Sequence, residues 1–223
     1  MHTNVSRLLV LAVILPVLFA QQDRIAGAIN SHDTLVLKGS SNPRARLEFD
    51  RGPVDASLHL GSVTLNFKPT AAQQSALEEL LKKQQDRASA DYHKWLQPAE
   101  YADRFGHSPG DFAKVAAWAQ SQGLRVEYQA NTRTWMRVSG TAAQVQTAFH
   151  TELHRYDVDG EMHFANAGEL SIPAALEPLI SVIRGLDDFY PKPAQRTVRQ
   201  IRISRKRTAP TFWCLPIFGP STT

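Results

Sequence analysis

Residues 124–160 read LRVEYQANTRTWMRVSGTAAQVQTAFHTELHRYDVDG, and this stretch decides the fold. Leu124, Val126 and Tyr128 alternate with Arg125, Glu127 and Gln129, the period-2 mark of a half-buried strand with Tyr128 in the apolar phase. A polar turn, Ala130 to Arg133, leads into a second alternating run through Thr134, Met136 and Val138. Thr141-Ala-Ala-Gln144 has the spacing of a capping box, and Val145, Ala148 and Phe149 follow at helical intervals. A third extended run, Thr151 to Val158, ends at Asp159-Gly160, a strong hairpin signal. Strand, strand, helix, strand is most of the second half of a split βαβ unit.

Upstream, Leu58 to Phe67 predicts the first strand. Val63, Leu65 and Phe67 share one phase and Leu58 and Leu60 the other, so a bulge is expected near Gly61-Ser62. Thr70-x-x-Gln73 opens a helix whose expected buried stripe is Ala76, Leu77, Leu80 and Leu81. Ser89 to Leu96 reads as an aromatic-rich loop, and Pro98 starts a short helix to Phe105. Ser108-Pro109 starts another helix with Phe112, Val115, Ala116 and Ala119 inward, closed by Gly123. Met162 to Phe164 returns as a strand, and Pro173 to Ile183 is expected to form a last short helix. The sum is an α+β fold, a ferredoxin-like antiparallel sheet with helices on one face, βαββαβ with an inserted helical pair.

The ends differ in composition from the middle. Arg7 followed by the uncharged apolar run Leu8 to Ala20 predicts a secretory signal within residues 1–28, cleaved after Ala20 or after Ala28. The run is shorter than the roughly 20 residues of a membrane span, so no span is expected after cleavage and the protein is expected to be secreted or periplasmic. Residues 29–56 read as an extended lead-in and 57–189 as the folded domain. Residues 190–223 form a basic tail or linker with seven Lys or Arg and no acid, whereas the rest of the chain carries 18 basic and 21 acidic residues. Arg196, Arg199, Arg202, Arg205, Lys206 and Arg207 mark that tail as a processing-accessible linker rather than a nucleic-acid arm. Aromatics do not interleave with its charges until Phe212-Trp213.

Chemistry-bearing residues are sparse. The lone cysteine, Cys214, excludes an internal disulfide or a cysteine-based metal site. Ser139-Gly140-Thr141 reads as a strand end and helix cap, because a working serine needs a base and oxyanion donors around it. His150 and His154 have the spacing of a helical metal pair, but the helix is expected to end near Phe149, leaving His154 on a strand. No catalytic, cofactor or metal residue is therefore assigned. His59, His93, His107 and His163 read as surface or partner contacts. The six histidines between residues 57 and 190 could serve a pH response. Asp187 and Asp188, at the exit of the domain, are candidate pH-sensitive contacts.

Several separate stretches, in order, resemble one known family. They are Gly52-Pro53, SADYHKWLQPAEYADRFG (Ser89 to Gly106), the Trp118 helix ending at Gly123, SGTAAQVQTAFHTELHRY (Ser139 to Tyr156), and Ile172-Pro173 through Gly185-Leu186. Together, over about residues 47–189, they are similar to the activation prodomain of the sedolisin (kumamolisin-like) serine-carboxyl peptidases. The resemblance implies a ferredoxin-like fold that assists folding of a protease domain, keeps it inhibited, and is removed at acid pH. In that family a subtilisin-like domain supplies a Glu and an Asp on one helix, a Ser in a Gly-Thr-Ser motif, an oxyanion Asp and a calcium site. None of these motifs lies in residues 190–223, so no catalytic or metal residue carries over. A truncated gene, a frame-shifted gene or a free-standing prodomain each fits that ending. The expected function is a non-catalytic prodomain whose partner is a sedolisin-type catalytic domain in trans. The alternative is a gene remnant or secreted binding module whose basic tail contacts anionic surfaces.

Overall fold

A computed structural model of the chain describes residues 21–191. The chain divides into two compact units, 1–189 and 190–223, and the architecture below is that of the first. Its elements run β1 (Thr34–Leu37), β2 (Asp50–Pro53), β3 (His59–Phe67), α1 (Ala71–Gln85), α2 (Pro98–Phe105), α3 (Pro109–Ser121), β4 (Arg125–Gln129), β5 (Trp135–Thr141), α4 (Ala142–Phe149), β6 (Leu153–Val158), β7 (Glu161–Asn166), β8 (Leu170–Pro173) and β9 (Ile180–Arg184). The result is a mixed α+β unit in which every strand pairing is antiparallel.

The main sheet has four strands in the order β4-β5-β3-β9. Alternation along β3 sends Val63 and Leu65 inward at 0% exposure, with Met136 and Val138 of β5 beside them. The β3–β5 register shifts between Leu60 and Val63, at the bulge the phase change predicts. Helices α3 and α4 cover this inner face, placing Val115, Ala119, Val145 and Phe149 in the same core. Phe112 meets Phe67 edge-on at 5.5 Å, and Trp118 meets Phe149 at 5.9 Å. Thr70–Gln73, Thr141–Gln144 and the Ser108 hydroxyl cap α1, α4 and α3 as their sequences require.

Four expectations need correction. Residues after Pro173 do not form a helix: a 3-10 turn at Ala174–Leu176 is followed by β9. Pro178 lacks the N–H a helix needs there, and Ile180, Val182 and Ile183 suit a pleated edge better. That edge strand, not β6, completes the main sheet. β6 instead joins β2 and β7 in a three-stranded sheet with its own small core of Tyr156, Val158, Ala165 and Phe189. The lead-in is structured, because β1 pairs with β8 and β2 with β6.

The α1 stripe is only partly covered. Leu80 is buried and Leu77 half-buried, whereas Ala76 and Leu81 are exposed and Gln84 is buried instead. The helix packs on α2, and α3 takes the place against the sheet. Helical periodicity identifies an apolar face but not how completely a neighbour covers it.

Asp159 and Gly160, with φ of 55° and 79°, form the tight β6–β7 hairpin. Gly185 is more constrained. Its φ is +89°, and a Cβ there would lie 2.0 Å from the Ser62 carbonyl oxygen. Gly185→Ala should therefore lower stability by about 3 kcal/mol or more, combining left-handed strain with a clash between β9 and β3. Gly61→Ala, in open space, should stay within about 0.5 kcal/mol of the parent. Urea midpoints of the two variants check this.

Candidate docking face and acid-sensitive contacts

The strand alternation that buries Val63 and Leu65 turns Thr64 and Asn66 to the opposite face. Register then sets their neighbours. Thr64 lies beside Arg137 and Arg184, and Asn66 beside Trp135 and Val182. Tyr128 pairs with Arg137 from the other edge. These side chains are exposed or half-buried, Tyr128 at 43%. The Tyr128 and Trp135 rings stack at 5.1 Å, and the Arg137 guanidinium lies 5.9 Å from the Tyr128 centroid.

Tyr128 corrects its sequence assignment to the apolar phase. A register shift between Val126 and Tyr128 turns it outward. The face is thus a pleated surface bearing two aromatic rings and two arginines. The polar phase of two adjacent strands carried the signal for Trp135 and Arg137. Arg184 was hidden by the mistaken last helix.

Ser139 is buried, and its hydroxyl donates to the Glu127 carboxylate, which is ion-paired with Arg125. That bond, with Arg125 beside it, holds the Glu127 carboxyl below its ordinary range. His150 takes a left-handed conformation as the α4 cap, and its Nε2 lies 3.3 Å from the Ser31 carbonyl. His154, on β6, stands between Asp50 at 2.7 Å and Glu152 at 3.1 Å. The two histidines do not converge. Asp188 accepts from the Phe164 amide at 2.8 Å and lies 3.2 Å from His163 Nδ1, tying the domain exit to β7. Asp187 accepts from the Phe189 amide at 3.1 Å. Phe189 stacks on His163 at 4.4 Å with Arg44 over its other side at 4.9 Å. Arg196, Arg199, Arg202, Arg205, Lys206 and Arg207 lie outside the described residues.

His107 departs furthest from its expected surface role, because it is only 4% exposed. It stands 5.2 Å from the Phe67 ring, and its Nδ1 lies 2.6 Å from the Arg24 guanidinium. Burial, the Arg24 charge and, more weakly, Arg133 push its pKa down to about 4, against opposition from Asp111. His154 moves the other way. Burial lowers its pKa, but hydrogen bonds and charge from Asp50 and Glu152 outweigh that and raise it.

The signs follow from linkage. The unfolded chain protonates His107 near pH 6.5, whereas the fold resists until about 4, so stability falls as pH drops through that window. His154 contributes stability on the acid side and loses it as pH rises through its raised pKa. The His107 contribution should amount to as much as about 3 kcal/mol between pH 6.5 and 4. Urea midpoints at pH 7, 5 and 4 should fall progressively in the parent and less steeply in His107→Gln.

The chain matches the family described as Pro-kumamolisin, activation domain, over residues 49–189. It is 29% identical to kumamolisin from Bacillus sp. (strain MN-32) over 153 residues, covering 68% of this chain and 27% of that protein. It is 29% identical to xanthomonalisin from Xanthomonas sp. (strain T-22) over 104 residues, covering 47% of this chain and 13% of that protein. Against sedolisin from Pseudomonas sp. (strain 101) it is 23% identical over 115 residues, 52% of this chain and 20% of that protein. The chain therefore spans well under a third of the length of each of these relatives. With the match running from Phe49 to Phe189, through the four-stranded and three-stranded sheets and helices α1 to α4, the chain belongs to the Pro-kumamolisin activation domain family, the propeptides of sedolisin-type peptidases.

Proposed function

We propose that the protein is an exported, non-catalytic prodomain that docks on a sedolisin-type protease domain, helps it fold and inhibits it until acidification. The observation that carries this reading is the open face of the main sheet. Tyr128 and Trp135 offer a preordered aromatic surface at little entropic cost, and Arg137 and Arg184 flank them. Among the described residues, no ion pair joins Arg137 or Arg184 to an acid, although Glu127 lies near enough for the Arg137 charge to help hold its carboxyl below the ordinary range. The face is therefore complementary to an acidic, partly apolar surface on the partner.

The chain order of the paired strands supports a ferredoxin-like reading of the fold. Counting β3, β4, β5 and β9 as first to fourth, they lie in the order 2-3-1-4 across the sheet.

Acidification loosens the complex by lowering the stability of the prodomain itself, through His107. A folding aid that is less stable in acid releases its partner in acid. Secretion or delivery to a periplasm is consistent with the apolar N-terminal run. Among the described residues, no helix is long and apolar enough to cross a membrane.

Purified protein should inhibit peptide hydrolysis by a sedolisin-type peptidase near neutral pH, more weakly as pH falls. Trp135→Ala and Arg137→Ala should each weaken inhibition at least about tenfold without shifting the urea midpoint. Absence of inhibition at every pH, from a prodomain that is folded by circular dichroism, would refute the proposal.

A further inference from the structure

Gln21–Ile25 make more contacts with the folded body than an unstructured lead-in would need. Asp111, in the first turn of α3, is 1% exposed. Its Oδ2 accepts from the Arg24 amide at 2.7 Å and its Oδ1 from the Ile25 amide at 2.9 Å. Ile25 itself is 2% exposed and belongs to the main core. The Arg24 guanidinium donates to the Pro178 carbonyl at 2.9 Å and the Lys68 carbonyl at 3.1 Å. Asp23 accepts from the Ser108 hydroxyl at 2.6 Å and from Lys114 at 3.2 Å. The Gln21 amide donates to the carbonyls of Ala102 and Gly106, each at 2.7 Å. Opposite Asp23 stands Gly110, where any Cβ would come within 2.5 Å of the carboxylate. The α2–α3 junction is shaped to receive this segment.

The sequence left two exits for the leader peptidase, and the small-x-small rule favours Ala26-Gly27-Ala28. A chain starting at Ile29 would lose both amide donors to the Asp111 carboxylate and the Ile25 side chain that packs in the core. Losing the partners of a buried charge and emptying a core site are among the most destabilising single changes a domain can suffer. Ala26, Gly27 and Ala28, by contrast, are exposed and take no part in this packing.

We propose that maturation cuts between Ala20 and Gln21, and that Gln21–Ile25 is a retained strap of the folded domain rather than the end of the leader. The inference rests on the export part of the functional reading and is independent of any protease partner. Small residues at 26–28 then serve as a hinge-like spacer between strap and lead-in.

The full chain, expressed in an exporting host, should yield a secreted product whose intact mass and N-terminal sequence start at Gln21, as glutamine or its cyclised form. Hydrogen exchange on that product should find the Arg24 and Ile25 amides protected to the level of α3. A secreted product starting anywhere beyond Gln21, or fast exchange at both amides, would overturn the strap. Retention of the leader on cell-associated protein would overturn the export reading and the cut together. Asp111→Ala in the same host separates processing from folding. The start should stay at Gln21 while the two amides lose protection, and unchanged protection would overturn the role given to Asp111.

Discussion

Strand β3 is hydrogen-bonded on both sides, to β5 and to β9, and both partners lie antiparallel to it. That double pairing fixes the strand in the middle of the sheet, with one face buried and the other open. The inward residues Val63 and Leu65 need apolar cover, which α3 and α4 supply through Val115, Ala119, Val145 and Phe149. Once those helices are on one side, Thr64 and Asn66 must face the other. The close approach of Gly185 to Ser62 marks how tightly β9 is pressed to this strand. The open face is a consequence of the core, since the same alternation generates both.

Sequence patterning was most readable where one local rule acted alone. The Thr70 and Thr141 capping boxes, the Asp159-Gly160 hairpin and the bulge beside Gly61 each depend on a few adjacent residues. It was least readable where a distant partner decided the outcome. Pro173 to Ile183 carries enough Ala and Leu to suggest a helix, yet an open edge on β3 recruits Ile180–Arg184 as a strand. Tyr128 looks inward by strict alternation, and a bulge in its pairing turns it out. β6 looks like the strand that should complete the main sheet, but β2 and β7 claim it. In each case nonlocal pairing overrode a local signal.

The histidines show the same division. Spacing alone brought His150 and His154 to attention, yet one caps a helix and the other lies between two carboxylates. His107 had no motif at all, and its unusual environment comes from Phe67, Arg24 and Asp111, which lie on three separate segments. A buried imidazole facing a guanidinium stays neutral at the expense of stability in acid, because the unfolded chain takes the proton more readily. No reading of the neighbours Gly106 and Ser108 could have supplied that.

These contacts divide the molecule by what each region does with acid. The open sheet face carries Thr64, Asn66, Tyr128, Trp135, Arg137, Val182 and Arg184. The histidines whose pKa the fold shifts lie elsewhere: His107 beneath the N-terminal strap and His154 on the small sheet. A partner bound to the sheet would therefore meet an unchanged surface on acidification while the support behind that surface weakened. Release driven this way would come from loss of preorganisation, with the contact residues themselves untouched. The affinity of the docked state and the pH at which it fails are then set by different residues. A substitution at Trp135 would bear mainly on the first and one at His107 on the second, with coupling between them expected because His107 is hydrogen-bonded to Arg133 in the turn that leads into Trp135.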